Sequence, residues 1–133
     1  MFGDRWSLLI VRDLMIRGYR NFKDFQQSGE GIASNILTDR LRKLEKDGII
    51  SAEAGERDGR KVDYRLTPKG IDLAPVLFEL LLWGGQHDED STPSPVIEKM
   101  KKHREAILQE VRRRWRDRDY TPLQSKSGEW FLP

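Results

Sequence analysis

Three patterns in this sequence predict a mostly helical fold that carries one small β-hairpin. Apolar residues recur at helical spacing over 4–17, 34–47 and 96–117. Two strand-like stretches, 49–55 and 61–67, flank the turn dipeptide Asp58-Gly59. Glycine or proline stands at most of the boundaries between these segments. With 37% apolar and 35% charged residues, the 133-residue chain has material for one modest core, and full disorder is not expected.

The first helix is expected over 4–17. Trp6, Leu9, Ile10, Asp13, Leu14 and Arg17 follow its spacing, and Gly18 stands where a helix C-terminus favours glycine. A short second helix is expected over 22–28. Asn21 is its cap, Asp24 completes a capping-box spacing, and Phe22 and Phe25 face the core. Gly29 and Gly31 then mark a turn. In the third helix, 34–47, Leu37, Leu41 and Leu44 fall at i, i+4 and i+7, one buried stripe closed by Gly48.

In the second strand Val62, Tyr64 and Leu66 alternate with Asp63 and Arg65, so one face is expected buried and the other wet, with the tip 56–60 protruding. A fourth helix starts at Thr67-Pro68, with the threonine as cap and the proline at the first helical position. It is expected to run to Trp83 with a kink at Pro75. The last helix, 96–117, places Ile97, Met100, Ile107, Leu108, Val111 and Trp115 on one strip, and the tail from Asp119 carries no pattern. The expected division is a domain at 1–87, a linker at 88–95 and a helical extension with tail at 96–133. Helix, helix, helix, two-stranded wing, helix is the winged helix-turn-helix plan.

A near-balanced net charge of +2 identifies no partner by itself. The lack of cysteine excludes disulfides, thiolate metal sites and cysteine nucleophiles in this sequence. The apolar run Leu8-Leu9-Ile10-Val11 is short and flanked by Arg5 and Arg12, so no signal peptide is expected. The longer apolar stretch 71–83 is broken by Asp72 and Glu79 and is too short to span a bilayer. A cytoplasmic protein without membrane contact is the simplest expectation. His87-Asp88-Glu89-Asp90 offers one imidazole in a linker-like setting, so no metal is expected there. Gly29-Glu30-Gly31 reads as a turn, not a phosphate loop. No catalytic constellation or cofactor motif stands out, so neither an enzyme nor a bound cofactor is expected. Arg112-Arg113-Arg114-Trp115-Arg116 is read as a solvated helix face.

Five segments resemble one family. Gly3-Asp4-Arg5-Trp6-Ser7-Leu8-Leu9-Ile10 and Arg20-Asn21-Phe22-Lys23-Asp24-Phe25 come first. Gly31-Ile32 with the run from Leu37 through Arg40, Leu41, Leu44 and Gly48 to Ile50 follows. Val62-Asp63-Tyr64-Arg65-Leu66-Thr67-Pro68-Lys69-Gly70 and Leu82-Trp83-Gly84 complete the set. In this order and spacing, over about residues 3–87, they resemble the HxlR-type regulators, relatives of the MarR group. The resemblance implies a sequence-specific DNA-binding transcription regulator. It also brings departures. The family's usual preceding helix, often bearing a cysteine, is absent or lies outside this sequence. Ala33 stands where a serine cap is usual, so Ser34 caps instead or the cap is weaker. The family's thiol-based sensing has no cysteine to work with.

An α-helix fits the major groove, where base edges carry a distinguishable pattern, and recognition helices read mainly with their first turns. Ser34, Asn35, Thr38 and Asp39 are therefore assigned to base edges or nearby phosphates, and Arg42 to a base or phosphate. Arg57, Arg60 and Lys61 at the wing are assigned to the minor groove or backbone. Arg20 and Asn21, at the start of the second helix, are assigned to a phosphate. For Arg40 a structural ion pair and a DNA contact stand open. A homodimer on a pseudo-palindromic operator is expected, with Leu77, Leu80, Leu81, Ile97, Met100, Ile107, Leu108 and Val111 as dimerisation residues. The family implies possible response to a small-molecule effector, which nothing in the sequence identifies. The competing function is a winged-helix module for protein–protein contact without DNA.

Overall fold

Residues 3–55, 59–88 and 92–132 are described by a computed structural model of the chain. Helix α1 spans Arg5–Ile16, capped by Asp4, whose carboxylate accepts from the Ser7 backbone N–H at 3.1 Å and from its hydroxyl at 2.7 Å. Gly18, at φ +71°, turns the chain out of it. A side chain there would also meet the Tyr120 carbonyl oxygen, which leaves room for glycine alone. Helix α2 (Phe22–Gln26) has the expected capping box between Asn21 and Asp24. Helix α3 spans Ser34–Lys46 with Leu37, Leu41 and Leu44 buried.

Strands β1 (Ile50–Ala54) and β2 (Val62–Leu66) pair antiparallel, Ile50 opposite Leu66 and Ala54 opposite Val62. Leu66 is buried and Tyr64 half-buried, but Val62 is exposed. The expected alternation therefore weakens toward the tip, where the hairpin outruns the core. Arg57 and Asp58 lie outside the described residues.

The single kinked helix expected over 67–83 is instead two. Helix α4 (Pro68–Ile71) stops at Asp72, and α5 (Ala74–His87) begins afresh with Pro75 in its first turn. Proline has no N–H to give the Ile71 carbonyl and its ring crowds that group, so a break costs less than a kink. The helix expected over 96–117 likewise divides at His103 into α6 (Ser94–Lys102) and α7 (Arg104–Arg116). The division lets α6 lie on α5 while α7 packs on both α5 and α1.

The extension is part of the core. Val111 and Leu123 are buried in the main apolar cluster with Ile10, Val11, Phe25, Leu37, Leu41 and Leu44. A second cluster joins Phe78 and Leu82 of α5 to Ile97, Met100 and Ile107. This corrects the assignment of Leu77, Ile97, Met100, Ile107 and Val111 to a dimer surface, because all five are buried within their own chain. Leu81 and Leu108 are half-buried against these clusters, and Leu80 stays exposed. The tail is ordered too. Leu123 and Gln124 donate their backbone N–H groups to the Ile16 carbonyl at 2.7 and 3.1 Å.

Candidate nucleic-acid interface

Burial of three leucines decides which way α3 faces. Leu37, Leu41 and Leu44 are 0%, 2% and 0% exposed. The other side of the helix presents Ser34, Asn35, Arg42 and Lys46 to solvent, with Thr38 and Asp39 half-exposed beside them. Asn35, Arg42 and Lys46 make no side-chain hydrogen bond or ion pair among the described residues, so their donors are available to a partner.

The remaining residues of this face are engaged. Ser34 caps nothing, and neither does Ala33. The Ser34 hydroxyl instead accepts from Gln26 Nε2 at 2.8 Å, joining the end of α2 to the start of α3. Thr38 donates its hydroxyl to the Ser34 carbonyl at 2.9 Å, which uses its one donor within the helix. Asp39 pairs with Arg40 and, at 3.3 Å, with Lys43. The hydrogen bond from Lys43, followed by the Arg40 contacts, holds its carboxyl below the usual carboxylate range. Arg40 also reaches Asp4 at 3.0 Å, tying α3 to the cap of α1, so of its two readings the structure adopts the ion pair. Gln26 carries no signal of this role in the sequence beyond its place one turn before the Gly29–Gly31 turn.

Arg20 and Asn21 are differently placed from the expected phosphate contact. Arg20 Nη2 donates to Asp63 Oδ2 at 2.9 Å, and its guanidinium lies 3.9 Å from the Tyr120 ring centroid. The Asn21 side-chain oxygen accepts from the Asp24 backbone N–H at 2.9 Å. Both side chains thus make bonds within the fold, Arg20 to β2 and Asn21 as the cap of α2. Arg60 and Lys61 are exposed just before β2, at the end of the hairpin away from the core. His87 lies against Trp83 with ring centroids 5.2 Å apart and planes tilted by 43°, while Glu89 and Asp90 lie outside the described residues. No helix among the described residues is long and apolar enough to cross a membrane.

The comparisons with known proteins fall on the same part of the chain. A family model described as HxlR-like helix-turn-helix matches residues 1–92. The HTH-type transcriptional regulator YodB of Bacillus subtilis (strain 168) is 34% identical over 89 residues, 67% of this chain and 79% of its own. The crystal structure of PA1607 superposes with a TM-score of 0.61 at 42% identity, covering 68% of this chain and 63% of that one. The redox regulator HypR, in its oxidized form, superposes with a TM-score of 0.59 at 31% identity, covering 66% of this chain and 90% of its own.

Proposed function

This chain belongs to the HxlR-like helix-turn-helix family of transcription regulators, and from that premise we propose that it reads an operator as a homodimer in the cytoplasm. The first turns of α3 enter the major groove, and Arg60 and Lys61 of the wing meet the minor groove or the flanking phosphates. One observation carries this reading: three buried leucines turn a polar face outward on which Asn35, Arg42 and Lys46 have no partner among the described residues. Asparagine suits adenine and arginine suits guanine in bidentate pairing. Among the described residues, the large apolar side chains left exposed (Val62, Val76, Leu80, Trp83 and Phe131) all lie off α3, which argues against this helix as a protein-docking surface.

A single module makes few contacts, and two copies on two half-sites supply the rest. Val76, Leu80 and Trp83 are 49%, 46% and 64% exposed and fall at i, i+4 and i+7 on α5. They form the apolar stripe on which a second copy would pack. Selection of bound duplexes from a random pool tests the whole reading, and a two-fold symmetric site is the expected product. On that site Arg42→Ala is expected to lose about 1–3 kcal/mol. An equal loss on random duplexes would remove Arg42 from the base-reading residues.

A further inference from the structure

The wing is gripped from outside the span that the family shares. Arg118, beyond α7, places Nη1 2.9 Å from Glu53 Oε2 and Nη2 3.1 Å from Glu53 Oε1, a two-pronged hold on β1. The Trp115 indole N–H donates to the Leu66 carbonyl at the end of β2, at 2.8 Å, and its ring lies under Arg65 at 4.8 Å. Tyr120 sits beneath Arg20, which itself holds Asp63 of β2. All three gripping residues lie beyond residue 92, where the family match ends.

The grip has a fixed footing. Leu123 is 1% exposed, and the tail is bonded to the Ile16 carbonyl. Gln124 accepts from Arg17 Nε at 3.0 Å. These bonds fasten the C-terminal segment to α1, which also packs on α3. Wing and α3 therefore share one reference frame. A two-stranded hairpin has little stiffness of its own, so such ties help to set the angle at which β1 and β2 leave the core. Arg118 also adopts φ +54°, a conformation that glycine takes more easily, yet the position carries the side chain that holds both carboxylate oxygens of Glu53.

We propose that Trp115, Arg118 and Tyr120 are positioning residues that hold the wing at a set angle to α3, so that both reach one duplex together. The proposal rests on the DNA-binding reading only for its consequence in binding; the hold on the wing is a property of the free chain. An exposed ion pair adds little to global stability, so its loss acts on the wing and leaves overall folding almost unchanged.

The test uses the full chain with Arg118→Gly, Arg118→Glu, Glu53→Arg and the charge-swapped double variant Glu53→Arg/Arg118→Glu. Arg118→Gly is the decisive single change, because it eases the backbone while releasing the wing. In the free protein, amide exchange in β1 and β2 is expected to quicken in each single variant and slow again in the double, with unchanged melting temperature for Arg118→Gly. On a duplex long enough for the wing to reach, Arg118→Gly and Arg118→Glu are expected to bind about three- to tenfold more weakly. On one trimmed to the α3 contacts they are expected to match the unaltered chain. Wing exchange that does not respond to Arg118→Gly, or a swap that restores nothing, overturns the proposal. Should the unaltered chain bind no selected duplex, the DNA-binding reading falls while the exchange result still decides the wing.

Discussion

Among the arginines of α7, charge is already spoken for. Arg112 pairs with Asp72 at 2.9 Å, Arg113 with Glu110 at 2.7 Å and Asp119 at 3.0 Å, and Arg114 with Glu110 at 2.7 Å. A run that reads as a basic helix face is thus balanced by acids brought from α4's end, from its own turns and from the tail. Hydrogen bonds from Arg113 and Arg114 draw the Glu110 carboxyl down from its ordinary 4.5 to about 2. A carboxyl with a depressed pKa in the folded state stabilises above its unfolded value and loses that contribution as pH falls toward the folded one. The melting temperature of Glu110→Gln is therefore expected to lie below that of the unaltered chain at pH 6, and the gap to close between pH 4.5 and about 2. A gap independent of pH would mean that Glu110 acts by packing alone. The same limit on reading residues applies to Asp13 and Arg17. Their place on the apolar face of α1 is visible in the sequence. Their burial at 3% and 8% is not, because it depends on Glu30 and Gln124 arriving from distant segments.

At the scale of elements, local chemistry set the starts of helices better than their ends. Asn21, Thr67 and the positive φ of Gly18 act where the sequence placed them, since a cap or a left-handed turn is satisfied within a few residues. Helix α3 begins without a side-chain cap, at Ala33, in the element proposed to enter the major groove. Ala33→Ser is expected to stabilise the fold by about 1 kcal/mol through a hydroxyl that accepts from the first-turn N–H groups. Urea unfolding at fixed ionic strength measures this, and no rise in midpoint would show that the first turn is already satisfied. The divisions at Asp72 and His103 were not legible in the same way. Residues 97, 100, 107, 108, 111 and 115 fit one unbroken helical stripe, and only the position of α5 beneath them makes two shorter helices bury more.

For the whole molecule, the question is which apolar surface remains once the chain has satisfied itself. The extension consumed most of the strip that the sequence offered to a second copy, and the outer stripe of α5 is what is left. Static light scattering at tens of micromolar is expected to give twice the chain mass of 15.6 kDa. Leu80→Glu is expected to return it to a single copy without unfolding, since that side chain is 46% exposed. A monomeric unaltered chain would remove the dimer from the proposed function.

Sequence alone determined the three-helix-and-wing plan, the buried leucine stripe of α3 and, with it, the polar face that carries Asn35 and Arg42. These follow from periodicity and caps, which are properties of neighbours along the chain. Tertiary structure alone decided which charged side chains are paired, that Arg20 and Arg40 join distant elements, and that Trp115 and Arg118 bond to the two strands of the wing. Each of those depends on groups far apart in sequence meeting in space. A periodic pattern specifies which side of an element is wet, but not which distant acid or aromatic ring will be waiting there.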